Sequence, residues 1–176
     1  MKHIIQLLVA CVLATPTVFA ESDSPSGFEM RLVQDNPSAD TEDMVFTNRT
    51  PSTKHPAREV LHVQKAPFIH QADVALAHVQ RYRSPIQPGD NRYGPRKEMV
   101  GYAISTKLND MGREHLADTT QQNIGKRIAI IVDGAIIIVP EIRAAITNGE
   151  SLILSDYTEQ EATSLTEKIN AALDDK

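Results

Sequence analysis

The chain has 176 residues, 41% of them hydrophobic and 23% charged, a composition typical of one globular domain with short appendages. Eighteen Lys and Arg residues stand against 23 Asp and Glu residues, which gives a formal net charge of -5. That balance argues against a general nucleic-acid binder, which needs a basic surface. Tryptophan is absent and aromatic residues make up 5% of the chain, so a surface that stacks on bases or sugars is not expected.

Residues 1–20 have the pattern of a secretory signal peptide. A short polar start precedes an apolar run over residues 4–14, and the tripeptide at 18–20 (Val-Phe-Ala) is a small-x-small cleavage pattern. We expect cleavage between Ala20 and Glu21 and a periplasmic or secreted protein. No later segment has the roughly 20 apolar residues that a membrane span needs.

A lipoprotein is the alternative. The sequence from Leu8 to Cys11 fits a cleavage pattern that would leave Cys11 lipidated and anchored, but the apolar run before it is short. If the chain is cut after Ala20 instead, the mature protein has no cysteine. Thiol catalysis and disulfide bonds are then excluded.

The first half of the mature chain is rich in prolines. A polar leader over residues 21–27 precedes alternating apolar and charged side chains at residues 28–32, which predict a half-buried strand. Residues 34–58 have no periodicity and contain three prolines, which predicts a long loop. A second strand is predicted over Glu59–Gln64. The stretch Asp73–Tyr82 fits either a helix or a turn followed by a strand.

The pattern becomes regular from residue 99 onward. A strand is predicted over Val100–Leu108. A helix follows, because Asn109 or Asp110 can cap its start. We expect this helix to run to about Asn123, with Gly125 as its C-terminal stop.

Two apolar runs rich in β-branched residues come next, Arg127–Val132 and Ala135–Val139. The dipeptide Asp133-Gly134 between them is typical of a two-residue hairpin turn of the primed type. Because neither run alternates, we expect both faces of both strands to be covered.

The C-terminal part begins with an irregular or helical stretch over residues 140–149, followed by a short strand over Ser151–Ser155. Thr158 and Glu161 form a capping box for a last helix. One face of that helix is apolar, and its members are Ala162, Leu165, Ile169, Ala172 and Leu173. Together these elements predict a single α+β domain over residues 28–176, in which two helices pack on a mainly antiparallel sheet.

No motif in the sequence specifies covalent chemistry. The histidines lack the spacing of a metal site; those after the signal are His55, His62, His70, His78 and His115. There is no G-x-S-x-G elbow, and no phosphate-loop motif is complete. We therefore expect a protein that is not an enzyme, with no catalytic, cofactor-binding or metal-binding residues. A small hydrolase or a metal protein remains the alternative class.

Residues 81–98 reverse the charge of the chain locally. The stretch contains five basic and two acidic residues, and most of it, residues 84–98, is predicted to be a loop. Within it, four side chains are the candidate contact for a partner, and they are Arg92, Tyr93, Arg96 and Lys97. The alternative interpretation is a solubilising loop that balances the acidic remainder.

The sequence Asn-Ile-Gly-Lys-Arg-Ile-Ala-Ile-Ile-Val-Asp-Gly at residues 123–134 resembles the head subdomain of the large periplasmic domain of SecD, an accessory subunit of the bacterial Sec translocase. The similarity continues in order through Pro140, the Ile-Thr-Asn-Gly step at 146–149 and the helix start at 157–162. Residues 28–33 resemble the opening strand of the same family.

The resemblance implies a SecD head-like fold and a role in contacting an emerging polypeptide or a protein partner in the cell envelope. It implies no catalytic residues. The family's coupling to the proton gradient depends on membrane spans, which we do not expect here after signal cleavage. An interaction protein that reuses the fold for a role unrelated to translocation is the second hypothesis.

Overall fold

The computed structural model describes residues 27–48, 57–85 and 98–174. The predicted signal peptide and the candidate contact residues Arg92, Tyr93, Arg96 and Lys97 lie outside this part of the chain. The described residues form eight strands and two helices, with a 3-10 turn at Gln71–Asp73 before the fourth strand. The elements are β1 (Phe28–Gln34), β2 (Thr41–Asn48), β3 (Ala57–Gln64), β4 (Val74–Pro85), β5 (Glu98–Leu108), α1 (Asp110–Gln122), β6 (Arg127–Val132), β7 (Ala135–Ile138), β8 (Glu150–Tyr157) and α2 (Glu159–Asp174).

The strands are divided between two antiparallel sheets. The larger sheet has the order β2-β3-β1-β6-β7, and the smaller one has the order β4-β5-β8. This is the α+β class that the sequence predicts, with two helices and antiparallel strands. Hydrophobic periodicity shows which residues form strands but not which strands pair, so the division into two sheets is a finding of the structure.

The main core lies between the two sheets and the two helices. The inward side chains of β1 and β6 face it, including the fully buried Phe28 and the nearly buried Met30. The smaller sheet contributes Ile104 and Ile153, and α2 contributes Ile169. Each of these aliphatic or aromatic side chains stabilises the fold by about 1.5–3 kcal/mol when it is fully buried.

A second, smaller core lies on the opposite face of the larger sheet. The sheet curls so far that its first and last strands, β2 and β7, come within 8 Å of each other between Cα atoms. No ladder hydrogen bond joins them. The concave face encloses apolar side chains from β1, β3 and β6, which are Val33, Leu61, Val63, Ala129 and Ile131.

The curl corrects the prediction of a half-buried β1. Glu29 and Arg31, expected in water, are buried to 5% and 8% exposure on the concave face. The Arg31 guanidinium donates to Glu29 Oε2 at 2.6 Å and to Glu42 Oε1 at 2.5 Å. A charge in such a place is tolerated when it is paired and hydrogen-bonded.

The predicted loop over residues 34–58 is wrong, because β2 lies inside it. β2 pairs with β3 over eight residues, from Thr41 opposite Gln64 to Asn48 opposite Ala57. Met44 and Phe46 pack against the second core, whereas Asp43, Val45 and Thr47 on the other face of this outer strand are exposed or half-buried. That mixture, with prolines on both sides, hides the alternation that would have predicted a strand.

The stretch Asp73–Tyr82 is a turn followed by a strand. The 3-10 turn ends at Asp73, whose carboxylate accepts from the backbone N–H of His70 at 3.1 Å. β4 then runs to Pro85 with an irregularity between Val74 and Leu76. The helical alternative is therefore wrong for this stretch.

In the second half of the chain, both predicted helices have the caps that the sequence indicates. Asn109 caps α1 by accepting from the N–H of Gly112 at 2.8 Å. Thr158 and Glu161 form the capping box of α2, with bonds of 3.2 and 2.9 Å between side chain and backbone. Residues 139–149 are irregular rather than helical, apart from one isolated bridge.

The β6–β7 hairpin turns at Asp133-Gly134, where φ is 49° and 74°. These are the positive values that the primed turn requires. Both faces of β6 are covered, as expected, but those of β7 are not. Ala135 is exposed and the next three residues are half-buried, because β7 is the last strand of its sheet.

Candidate functional site

A surface groove of about 660 Å³ runs between β2, β7 and the first half of α2. We call it the β2–β7 groove. Val45 and Thr47 of β2 form one wall, Leu165 and Lys168 of α2 form the other, and residues 134–137 form the floor. The groove combines an apolar floor with charged ends, which suits a ligand that is itself both apolar and polar.

The floor is an open strand edge. Val132 and Ala135 flank the two-residue turn and face each other across the hairpin, and Ile131 faces Ile136. In such a hairpin the flanking pair exchanges both ladder hydrogen bonds, so the N–H and C=O of Ile136 point away from β6. Within the described residues, nothing donates to or accepts from these two groups.

The turn at the end of the groove is held in place by three contacts, two with Gly27 and one with Lys168. Asp133 N donates to Gly27 O at 3.0 Å, and Gly27 N donates to Asp133 Oδ1 at 3.1 Å. Lys168 Nζ lies 3.0 Å from Asp133 Oδ2. The hairpin therefore presents the outer edge of β7 in a fixed orientation.

The rim of the groove is acidic. Asp43 and Glu161 line the groove, and Asp133 pairs with Lys168 at its end, so the formal charge of these four groups is about -2 at neutral pH. The Asp43 carboxylate also lies 2.6 Å from Nδ1 of His62. The groove thus favours a ligand with basic groups.

The outer edge of the smaller sheet, at β4, is blocked by a side chain. Asn170 Oδ1 accepts from Ala77 N at 3.0 Å, and Asn170 Nδ2 donates to Ala77 O at 2.8 Å. A side chain of α2 thus occupies the backbone groups that another strand would use. Blocking an edge in this way prevents unwanted strand pairing.

A second cavity of about 550 Å³ lies between the larger sheet, α1 and the start of β8. Its walls are mainly apolar and include Met30, Leu116 and Ile128. Leu152, on its border, is 45% exposed. The polar groups that would orient a specific ligand are few here, namely those of Thr147, Asn148, Glu150 and Ser151.

One tyrosine has a perturbed ionisation. Tyr102 Oη donates to Glu159 Oε2 at 2.9 Å. This hydrogen bond raises the pKa of Tyr102, and partial desolvation and the negative charge of Glu159 raise it further, while Arg81 opposes the change. The pair joins β5 to the start of α2 and is a structural contact rather than a catalytic one.

The described histidines, His62, His70, His78 and His115, are exposed or half-buried and lie apart from one another along the chain. His62 pairs with Asp43 on the β2–β3 hairpin, and His70 lies 3.4 Å from Asp73. In the described ranges, no three side chains of the metal-ligating types come together. Residues 27–48, 57–85 and 98–174 also contain no helix that is long and apolar enough to cross a membrane.

Of the basic stretch, only its two ends belong to the described part. Arg81 and Arg83 lie on β4, and the ring of Tyr82 covers the backbone of Gly101, where a Cβ would come within 2.4 Å of the ring. Tyr82 therefore has a packing role.

The β2–β7 groove could not be found from the sequence. It joins residues near 45, 136 and 165, which are far apart in the chain and meet only because the larger sheet curls. The one signal available is the predicted hairpin at Asp133-Gly134, which implies a β7 strand with a free edge if nothing follows it in the sheet.

The family model for the P1 head subdomain of SecDF matches residues 87–173. This stretch contains β5 to β8 and both helices, and it includes the hairpin and the capping box described above. The fold is an α+β domain with two helices and antiparallel strands. The chain carries a SecD head-like domain.

Curated relatives support the same assignment. SecD of Acetobacter pasteurianus is 36% identical over 70 residues, which cover 40% of this chain and 13% of the relative. SecD of Aquifex aeolicus is 30% identical over 144 residues, 81% of this chain and 26% of the relative. Both are named protein translocase subunits. This chain spans about a quarter or less of their length.

Two solved structures share the fold. SecDF, described as a membrane component that enhances protein export, matches with a TM-score of 0.51 and 21% identity, over 82% of this chain and 61% of that one. SecDF in a super-membrane-facing form matches with a TM-score of 0.53 and 23% identity, over 82% and 18% of the two chains. At this identity the likeness shows the fold alone.

Proposed function

We propose that this chain is an exported binding module that contacts polypeptide in the cell envelope, in connection with protein translocation, and does no covalent chemistry. The observation that carries the proposal is the SecD head-like domain over residues 87–173. Relatives that contain such a domain are translocase subunits, and the open edge of β7 offers backbone groups that an extended chain can pair with.

The test compares one protein in two states. The purified mature chain is titrated with a secreted protein kept unfolded by a destabilising substitution, and with the folded parent of that protein. We expect the unfolded form to bind at least tenfold more tightly, because only an extended chain exposes its backbone to an edge strand. Equal affinity for both forms, or binding of neither, would contradict the proposal.

Export has its own test. The protein should fractionate with the periplasm or the medium and begin at Glu21, because residues 18–20 form the cleavage pattern. N-terminal analysis that finds a modified Cys11 would replace this with the lipoprotein form. An uncleaved chain in the cytoplasm would contradict both.

The basic segment is proposed as a modulating contact. Arg92, Arg96 and Lys97 add positive charge to an acidic protein, and exposed charges are screened over about 8 Å at physiological ionic strength. Neutralising all three should weaken binding of an unfolded client at low salt and leave it nearly unchanged at moderate salt. Identical isotherms for wild type and variant at both salt concentrations would remove the segment from the binding surface.

The proposal also includes a role together with the translocase, which crosslinking in cells can test. If unfolded clients bind but the chain is never recovered with translocase components after crosslinking in cells, the fold serves an interaction role outside translocation. Such an interaction protein is the second hypothesis given in the sequence analysis. The chain spans about a quarter or less of its relatives, so either outcome is compatible with the shared fold.

A further inference from the structure

We infer that the β2–β7 groove is the place where this chain holds an extended polypeptide segment, and that the segment it prefers carries basic side chains. The inference rests on the proposed function, since it locates the polypeptide contact on one surface. Two observations carry it: the backbone groups that β7 directs into the groove, and the excess of carboxylates on the rim.

The first observation concerns hydrogen bonding. The N–H and C=O of Ile136 point into the groove and have no partner among the described residues. Only a backbone in the extended conformation satisfies a strand edge over several residues, and it does so whatever its side chains are. At β4, by contrast, Asn170 blocks the backbone groups of Ala77, so the fold protects that edge at this point and leaves Ile136 on β7 open.

The second observation is charge. The carboxylates of Asp43 and Glu161 line the groove, and the Asp133–Lys168 ion pair lies at its end. Lysine or arginine side chains on a bound segment would meet these carboxylates, and acidic side chains would be repelled. The floor accepts apolar side chains, since it includes the half-buried Ile136 and Ile137.

The geometry also says how the segment fits. The bound segment becomes a sixth strand of the larger sheet, between β7 and β2. It closes the curled sheet, so neither β2 nor β7 has an open edge any longer. Two ladder spacings require about 9.6 Å, and Cα atoms of β2 and β7 lie within 8 Å of each other, so β2 has to move outward to admit the segment. Among the described strands β2 pairs only with β3, so this movement breaks no ladder with β7, although it strains the Glu42–Arg31 ion pair that joins β2 to β1.

The chain offers a matched pair of positions for the test. Val45 and Val60 face each other across the β2–β3 hairpin and are 52% and 59% exposed. Val45 lines the groove and Val60 does not. V45R places bulk and a positive charge in the groove, whereas V60R makes the same change on the same face outside it. Both positions are exposed, so both variants should fold.

The probe is a synthetic decapeptide in which Thr or Val alternates with Lys. Three forms are compared by titration calorimetry: this peptide, its Lys-to-Glu analogue, and a form N-methylated at alternate residues. The N-methylated form can donate from one edge only, so it cannot pair with β7 and β2 at the same time. We expect the Lys peptide to bind wild type at least tenfold more tightly than either of the other two. V45R should weaken its binding at least tenfold, and V60R less than twofold.

The outcomes distinguish an error in the location of the binding site from a failure of the proposed function. If V45R and V60R bind the Lys peptide equally, or N-methylation has no effect, the groove is not the site even though polypeptide binding stands. If the Glu peptide binds as well as the Lys peptide, the preference for basic segments is wrong. If neither an unfolded protein nor any peptide binds wild type, the proposed function itself fails.

Discussion

Asn170 of α2 holds the backbone of Ala77 on β4 through two hydrogen bonds, one to the N–H at 3.0 Å and one from the side-chain amide to the C=O at 2.8 Å. The amide copies the pattern that a neighbouring strand would offer. The contact joins the last part of α2 to the smaller sheet and covers its outer edge at that point.

Removing this amide should destabilise the protein. A buried or half-buried hydrogen bond contributes about 0.5–1.5 kcal/mol, so N170A should lower the free energy of unfolding by about 1–3 kcal/mol in urea titrations. N170D is the sharper control, because a carboxylate accepts from Ala77 N and cannot donate to Ala77 O. N170D should therefore lose part of the stability as well. A variant as stable as wild type would show that the two bonds contribute nothing.

The second prediction concerns the hairpin turn. Gly134 has a φ of 74°, a conformation that a β-branched residue tolerates poorly. G134V should therefore lower the free energy of unfolding by roughly 1 kcal/mol or more. The matched control is A135V, which adds the same side chain at the next, exposed position of β7, where extended backbone suits valine. Equal melting temperatures for G134V and A135V would mean that the turn does not constrain the chain.

The sequence predicts the elements whose signals are local. The Asp133-Gly134 dipeptide, the Asn109 cap and the Thr158–Glu161 box each act within a few residues, so the turn and both helix starts follow from the sequence. The burial of Glu29 does not follow from the sequence, because alternation with apolar residues indicates a solvent-exposed face unless the sheet curls over it. β2 was missed for a related reason, since its partner and its core contacts are supplied by distant strands.

The candidate site could be predicted less well than the fold. The groove depends on the curl that brings β2 near β7, and no local pattern encodes that approach. The acidic rim likewise comes from three separate elements. Overall charge argues against a general nucleic-acid binder, but it does not locate the carboxylates.

The buried ion pair gives a third prediction. Glu29 and Arg31 have side chains 7% and 9% exposed, whereas Glu42, the other partner of Arg31, is 46% exposed. Removing one member of a buried pair leaves an uncompensated charge and costs about 3–5 kcal/mol, whereas an exposed pair contributes about 0–1 kcal/mol. R31M should therefore be severely destabilised and E42Q only mildly.

The double variant E29Q/R31M distinguishes a lost pair from lost packing. It removes both charges, so it should recover much of the stability that R31M loses, as replaced buried pairs often do. Free energies of unfolding for R31M, E42Q and the double variant provide the measurement. If E42Q is as destabilising as R31M, the network acts as one unit and the exposure of Glu42 does not limit its contribution.

The last prediction is a pH dependence at the contact between Tyr102 and Glu159. The hydrogen bond to Glu159, with desolvation and the Glu159 charge, raises the pKa of Tyr102 in the folded protein. The unfolded chain therefore releases this proton first, at about pH 10, so folding loses stability as the pH rises from there through the higher folded pKa. Below pH 10 the contribution is complete. Thermal melts between pH 8 and 11.5 should show a steeper alkaline fall for wild type than for Y102F or E159Q, and parallel curves for all three would contradict the assignment.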